Sequence, residues 1–325
     1  MDQLIKEGIE RNFFSHLDLY FAKLMVDELD FSGEVAKASP LTERVKLLIA
    51  LISRAYTRGH VTFPRKLLLE PHRWFLEGRE EERRLYLQAL EAFFEEAIDT
   101  PHFWNPAIEA LPPAIKVTEE GLYLLRNFEF ETQIVEYLLE GMELPEVEQN
   151  QLKLYRSLME RYAPKEEGEF NYQRLAAANT LLQPLSIISG GPGTGKTTTV
   201  FNILLMLAES HFTSSGRAPI IRLAAPTGKA AGRSKESIEG QRMRMSNVDH
   251  SVLSAIPSES HTLHRLLGIR PLNGGVNHHR HNPLPLDILV VDEASMIDIN
   301  TFILLIEALP KEARLILLGD KDQLS

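Results

Sequence analysis

The chain has 325 residues, 44% of them hydrophobic and 25% charged, with a formal net charge of −10 and no cysteine. This composition describes a soluble globular protein with room for two or three domains, and no apolar run nears the roughly 18 residues a membrane span needs. The missing cysteines exclude disulfides, thiolate metal sites and cysteine nucleophiles, and they fit a reducing cytoplasm, the expected location.

The opening residues, Met1 to Glu7, lack the basic-then-apolar form of a signal peptide. Residues 1–110 read as a helical domain. The segment 41–56 places Leu47, Leu48, Leu51 and Ile52 on one side, and 77–98 places Leu85, Leu87, Leu90, Phe93, Phe94 and Ile98 amid charges. Both stripes read as core, and the charged run 80–84 as a solvated face. Pro112-Pro113 breaks the helical pattern, and 115–130, with Gly121 near its middle, predicts a short β-hairpin. Helices follow at 131–139 and 148–161, and 164–169 reads as a linker. Residues 111–168 are thus a hairpin and helical connector. Residues 1–165 carry 29 acidic against 20 basic side chains, a balance suited to meeting protein rather than DNA.

From about residue 170 strands and helices alternate. Apolar runs at 185–188, 220–225, 288–291 and 315–318 predict a parallel sheet with helices on both faces, in an α/β domain over 169–325. Ligands of such sheets bind at the carboxyl ends of the strands, and each of these runs ends in a polar cluster. Residues 233–262 and 271–286 read as polar insertions with little secondary-structure signal.

The first cluster is Gly190-Gly191-Pro192-Gly193-Thr194-Gly195-Lys196-Thr197, a complete GxxxxGK[ST] phosphate-binding loop followed by Thr198 and a helical run. Its glycines let backbone N–H groups curl around a polyphosphate, and the helix N-terminus adds positive charge. Lys196 would reach the β- and γ-phosphates, and the Thr197 hydroxyl would hold Mg²⁺. Ahead of the loop, Gln173 stands where its amide would read adenine; surface glutamines are common, so its position matters more than the residue type. The run 288–291 ends in Asp292-Glu293: Asp292 would hold Mg²⁺ and Glu293 would act as general base on water. The run 315–318 leads to Gly319-Asp320-Lys321-Asp322-Gln323, with Gln323 in reach of a γ-phosphate or the attacking water, or else a plain Gly-Asp turn.

Between these lie Pro226-Thr227-Gly228-Lys229 and His261-Thr262-Leu263-His264-Arg265, each combining a hydroxyl, backbone amides and a cation. They suit nucleic-acid phosphates, or serve as helix caps and an amphipathic helix. Residues 210–280 hold 10 lysines and arginines against 4 acids, which fits either a phosphodiester track or a solvated insertion. His278, His279 and His281 have no paired carboxylates in their loop and read against a metal site.

Together the segments GGPGTGKTTT, LAAPTGKAA, VVDEAS and GDxxQL, in this order and preceded by a glutamine motif, resemble superfamily 1 DNA helicases of the RecD type. Residues 262–268, Asn282-Pro283-Leu284, Gly59-His60-Val61 and Gly121-Leu122-Tyr123-Leu124 extend the resemblance over essentially the whole chain. The resemblance implies a RecA-like fold and an ATP- and Mg²⁺-dependent motor moving 5′ to 3′ on single-stranded DNA. It also implies an N-terminal domain docked on RecB-like and RecC-like partner subunits, and work in double-strand-break repair and recombination. By matched position Gln173 is the adenine reader, Gly190 to Thr198 the ATP loop, Asp292 and Glu293 the Mg²⁺ and base residues, and Gln323 the γ-phosphate sensor. Thr227, Lys229, Thr262 and Arg265 fall in DNA-contacting motifs. The family continues into a second RecA-like domain that supplies catalytic arginines, so the 325 residues are expected to bind nucleotide, hydrolyse it poorly and not unwind DNA alone. Two other readings stand beside this one. The chain is an ATP-binding assembly module that does not translocate, or it is another phosphate-loop enzyme, although it contains no Asn-Lys-x-Asp guanine motif.

Overall fold

The computed structural model describes the chain apart from residues 1–5, 7, 12, 28–38, 75–79, 144, 164–170, 192, 246–247, 271–274 and 321–325. The linker reading at 164–169, Pro192 and Gln323 lie outside the described residues. The chain divides into two compact units, residues 1–132 and 133–325. No helix among the described residues is long and apolar enough to cross a membrane.

The first unit holds α1 (His16–Asp27), α2 (Pro40–Thr57), β1 (Thr62–Pro64), α3 (Glu80–Phe94), α4 (Pro101–Glu109), β2 (Ile115–Val117) and β3 (Gly121–Leu124). Ser39 caps α2 by accepting the Thr42 N–H, and Pro40 occupies the first turn, where its missing N–H costs nothing. Leu47 to Ile52 are all buried, so α2 is the central helix rather than a one-sided surface one. Around it, the Trp104 indole donates to the carbonyls of Ile98 and Leu68, and Arg44 lies over the Phe103 ring at 4.4 Å while bonding Glu96 at 2.6 Å. The buried Asp18 carboxylate accepts from the Ser15 backbone and hydroxyl and from Ser53, at 2.6–2.8 Å.

The predicted hairpin is present as β2 and β3, with β1 adding on the far side of β3 to make a three-stranded antiparallel sheet in the order β1-β3-β2. Gly121 pairs with Pro64 instead of forming the turn. A Cβ there would collide with the Thr62 hydroxyl, so the glycine answers a close approach of strands. Residues from 125 onward are helical, in α5 (Leu125–Met142), because the apolar spacing after Leu124 no longer alternates.

The second unit continues with α6 (Gln149–Tyr162), α7 (Tyr172–Leu182), β4 (Leu185–Ser189), α8 (Lys196–Ser215), β5 (Ile221–Ala225), α9 (Gly228–Arg244), α10 (His250–Ala255), β6 (Ser260–Thr262), α11 (Leu263–Leu267), β7 (Ile288–Val291), α12 (Ile299–Ala308) and β8 (Arg314–Gly319). Five strands form a parallel sheet in the order β4-β8-β7-β5-β6. Alternate residues serve alternate faces, as the strand period of two requires. Ile221, Leu223, Ile288, Val290, Ile316 and Leu318 join one core with α6 to α10, while Ala224, Leu289, Val291, Leu315 and Leu317 join another with α11 and α12. Residues 199–201, 203–208 and 210 of α8 are buried, so this helix is apolar nearly all round and anchors the loop that precedes it. The stretch 233–262 is not an unstructured insertion. It carries most of α9, then α10 and the edge strand β6. The buried stripe of α9, Ala230, Ala231, Ser234 and Ile238, is too small and polar to register as a core face.

Candidate nucleotide-binding site

The carboxyl ends of β4, β5, β7 and β8 open on one side of the second unit. The loop after β4 runs alongside the end of β8, where the Gly190 N–H donates to the Gly319 carbonyl at 3.2 Å. Gly193 and Gly195 both take φ of +78°, a left-handed conformation a side chain would strain. A Cβ on Gly190 would lie 2.9 Å from the Thr194 hydroxyl, and one on Gly195 would lie 2.7 Å from Nε2 of Gln173. The loop is therefore a cradle that only glycine permits, ending at the N-terminus of α8. Lys196 folds back over it, its ammonium donating to the Gly190 carbonyl and, at 3.4 Å, to that of Gly191.

Asn171 caps α7 through the Arg174 N–H, and this places Gln173 on the first turn, where its amide donates to the Thr194 carbonyl at 3.2 Å. The structure thus brings Gln173 onto the loop, against a residue 21 positions along the chain. Beyond the loop, a cavity of about 300 Å³ is lined by Lys196, Thr197, Arg233, Ser234, Asp292 and Glu293 over an apolar floor that includes Val200 and Val290. Two cations, two hydroxyls and two carboxylates facing one space are a donor set suited to a Mg²⁺-nucleotide. Mg²⁺ itself needs only one or two protein oxygens beside phosphate and water. These residues, with the glycine cradle, fit ATP and Mg²⁺.

Asp292 is fixed in plane by two donors: the Ser234 hydroxyl on Oδ2 and the Glu293 N–H on Oδ1 at 2.9 Å. Its own N–H continues the sheet by donating to the Ala224 carbonyl at 2.9 Å. Glu293 stands at φ 53°, ψ 38°, a left-handed conformation that costs a non-glycine residue on the order of 1 kcal/mol. The backbone turns sharply here to leave the sheet with its carboxylate at the cavity. Thr198 faces α9, where its hydroxyl accepts from the Gln241 amide at 2.9 Å.

Of the four residues predicted to meet nucleic acid, Thr227, Lys229 and Thr262 lie at the carboxyl ends of β5 and β6, and Arg265 follows in α11. Ala225 is in register with Thr262, and Thr227 follows two residues on. Both threonines cap helices: Thr227 accepts the Ala230 N–H and Thr262 the Arg265 N–H, each at 3.2 Å. Lys229 is exposed in the first turn of α9. Arg265 lines a second cavity of about 320 Å³ with Arg222, His261 and His278. Arg233 and Ser234 were missed by sequence reasoning. The signal that would have found them is their place one to two turns into the helix that Thr227 starts.

At the opposite, amino-terminal end of the sheet two charged side chains are tied, Asp287 and Arg314. Asp287 accepts a bidentate pair from Arg217 at 2.7 and 2.8 Å and the Ile220 N–H at 2.6 Å. The Arg217 bonds, against the opposing effect of burial, hold its carboxyl down at about 2. Arg314, whose pKa burial lowers, donates to the carbonyls of Thr180, Gln183 and Leu181 at 2.8, 2.8 and 3.2 Å, closing the end of α7.

Comparison with known proteins gives a consistent picture. A family model described as an AAA domain matches residues 173–325. The RecBCD enzyme subunit RecD of Haemophilus influenzae is 37% identical over 338 residues, covering 97% of this chain and 50% of that protein. The RecBCD enzyme subunit RecD of Mycolicibacterium smegmatis is 37% identical over 237 residues, 69% of this chain and 40% of its own length. The ATP-dependent RecD2 DNA helicase of Deinococcus radiodurans is 39% identical over 140 residues, 43% of this chain and 16% of that one. The chain spans about half the length of the first of these relatives.

Proposed function

We propose that this chain, similar over 97% of its length to a RecD subunit and matching an AAA domain over residues 173–325, is the ATP- and Mg²⁺-binding part of a DNA helicase subunit of the RecD type. The observation that carries this reading is the convergence of Lys196, Thr197, Asp292 and Glu293 on one cavity beside a glycine cradle. Gln173, already on the loop, reads the adenine edge. Lys196 exchanges its loop carbonyls for the β- and γ-phosphates. Thr197 and Asp292 hold Mg²⁺, which when bound neutralises charge on the phosphates. Glu293 takes the proton of the attacking water, and Gln323 senses the γ-phosphate.

Single-stranded DNA runs across Thr227, Lys229, Thr262 and Arg265, and translocation is 5′ to 3′ in the whole protein. The first unit docks on RecB-like and RecC-like subunits. In support, the Haemophilus influenzae and Mycolicibacterium smegmatis relatives are named as enzyme subunits, and α1 presents Leu17, Tyr20 and Leu24 on one exposed face, at 59–71% exposure. Residues 1–325 by themselves bind nucleotide, turn it over slowly and do not separate strands, since the two-domain closure that drives stepping needs a second RecA-like domain. Hydrolysis and unwinding assays on the purified chain test this. Weak turnover with no strand separation is expected, and robust DNA-stimulated turnover with unwinding would overturn it. A preference for GTP over ATP would point instead to another phosphate-loop enzyme.

A further inference from the structure

Helix α9 touches the nucleotide site twice. Its buried residues are Ala230, Ala231, Ser234 and Ile238, and half-buried Gln241 follows three residues after Ile238 on the same stripe. Ser234, 9% exposed, donates its hydroxyl to Oδ2 of Asp292. Gln241, seven residues on, donates to the Thr198 hydroxyl at 2.9 Å, beside the Thr197 assigned to Mg²⁺. Seven residues make two turns, so the two contacts sit on one face roughly 10 Å apart. The same helix starts at Thr227 and carries Lys229 in its first turn, where the nucleic-acid strand is read to pass.

We infer that α9 is a coupling strut: Ser234 and Gln241 tie nucleotide occupancy at Asp292 and Thr198 to strand occupancy at the amino-terminal end of the helix. The inference rests on the proposed function for what occupies each end, and adds the element that links them. Ser234 and Gln241 are positioning residues, acting through Asp292 and Thr198. A helix moves as a rigid piece over these few turns. A strand that shifts its first turn therefore shifts the donor that orients Asp292. Arg233, the neighbour of Ser234, also faces the cavity and moves with it.

The test is a thermodynamic cycle on the 325-residue chain. Affinity for a fluorescent ATP analogue with Mg²⁺ is measured with and without saturating oligodeoxythymidylate, and the oligonucleotide affinity with and without the analogue. The wild-type chain is expected to show a coupling factor of about 5-fold or more, equal in both directions as linkage demands. Ser234→Ala and Gln241→Ala should each bring that factor towards 1 with a thermal midpoint within about 2 °C of wild type, and Ser234→Thr, which keeps the hydroxyl, should retain it. Ser234→Ala should also raise the Mg²⁺ concentration needed for half-maximal analogue binding. Coupling that survives both alanine variants overturns the inference, as does a wild-type chain that binds both ligands independently. A wild-type chain that binds neither ligand overturns the proposed function as well.

Discussion

The two ends of the five-stranded sheet use charge in opposite ways. At the amino-terminal end, Asp287 is locked by Arg217 and the Ile220 N–H, and Arg314 is spent on three carbonyls at the end of α7, those of Thr180, Leu181 and the capping Gln183. At the carboxyl end, Lys196 rests on the carbonyls of its own loop, Asp292 and Glu293 face a cavity, and Glu293 carries backbone strain. One end converts charge into stability. The other holds charge ready for a ligand and gives up stability to do so, the usual trade at a functional site. The ends also communicate in sequence, because α7 is fastened by Arg314 at its last turn and presents Gln173 at its first.

Breaking the locked end should have the largest effect on stability. Arg314→Met leaves buried carbonyls unmatched and is expected to cost about 2–4 kcal/mol, read by urea denaturation. It should also weaken adenine recognition, because α7 loses its anchor. A variant as stable as wild type would show that the carbonyls find other donors.

At the open end the sign should reverse. Glu293→Gly relieves a left-handed backbone and is expected to gain about 1 kcal/mol while reducing nucleotide turnover at least ~10-fold. A loss of stability would mean that the carboxylate, not the turn, holds this corner.

The smallest effect concerns pH. The folded carboxyl of Asp287 titrates at about 2 against a usual 3.8, so its contribution is complete above pH 4 and disappears as pH falls towards 2. The thermal midpoint should drop over that window, by about a few degrees, and Asp287→Asn should be lower at neutral pH with less further loss on acidification. Parallel pH profiles for the two proteins would contradict the lock.

The open end was more legible than the locked one because its chemistry is local in sequence. The phosphate loop is eight consecutive residues, Asp292 and Glu293 directly follow an apolar run, and the four long strands announce themselves as short apolar runs. The locked end joins residues 67 to 134 apart, such as Ile220 with Asp287 and Arg314 with Thr180, and no spacing rule exposes such pairs. The same limit hid β1, which joins the hairpin from about 60 residues upstream, and β6, a three-residue edge strand. The start of helix α9 at Thr227 was legible as a cap, but its body escaped for a different reason. Its buried stripe is alanine and serine, and only in the fold does Ser234 meet Asp292.

The central claim is that the open end binds ATP with Mg²⁺ through Lys196. Calorimetric titration of Mg²⁺-ATP into the wild-type chain and into Lys196→Ala tests it most directly. The account predicts saturable binding at one site per chain, weakened at least ~10-fold by Lys196→Ala with an unchanged thermal midpoint. Equal affinity in the two proteins, or no binding by the wild-type chain, would contradict it.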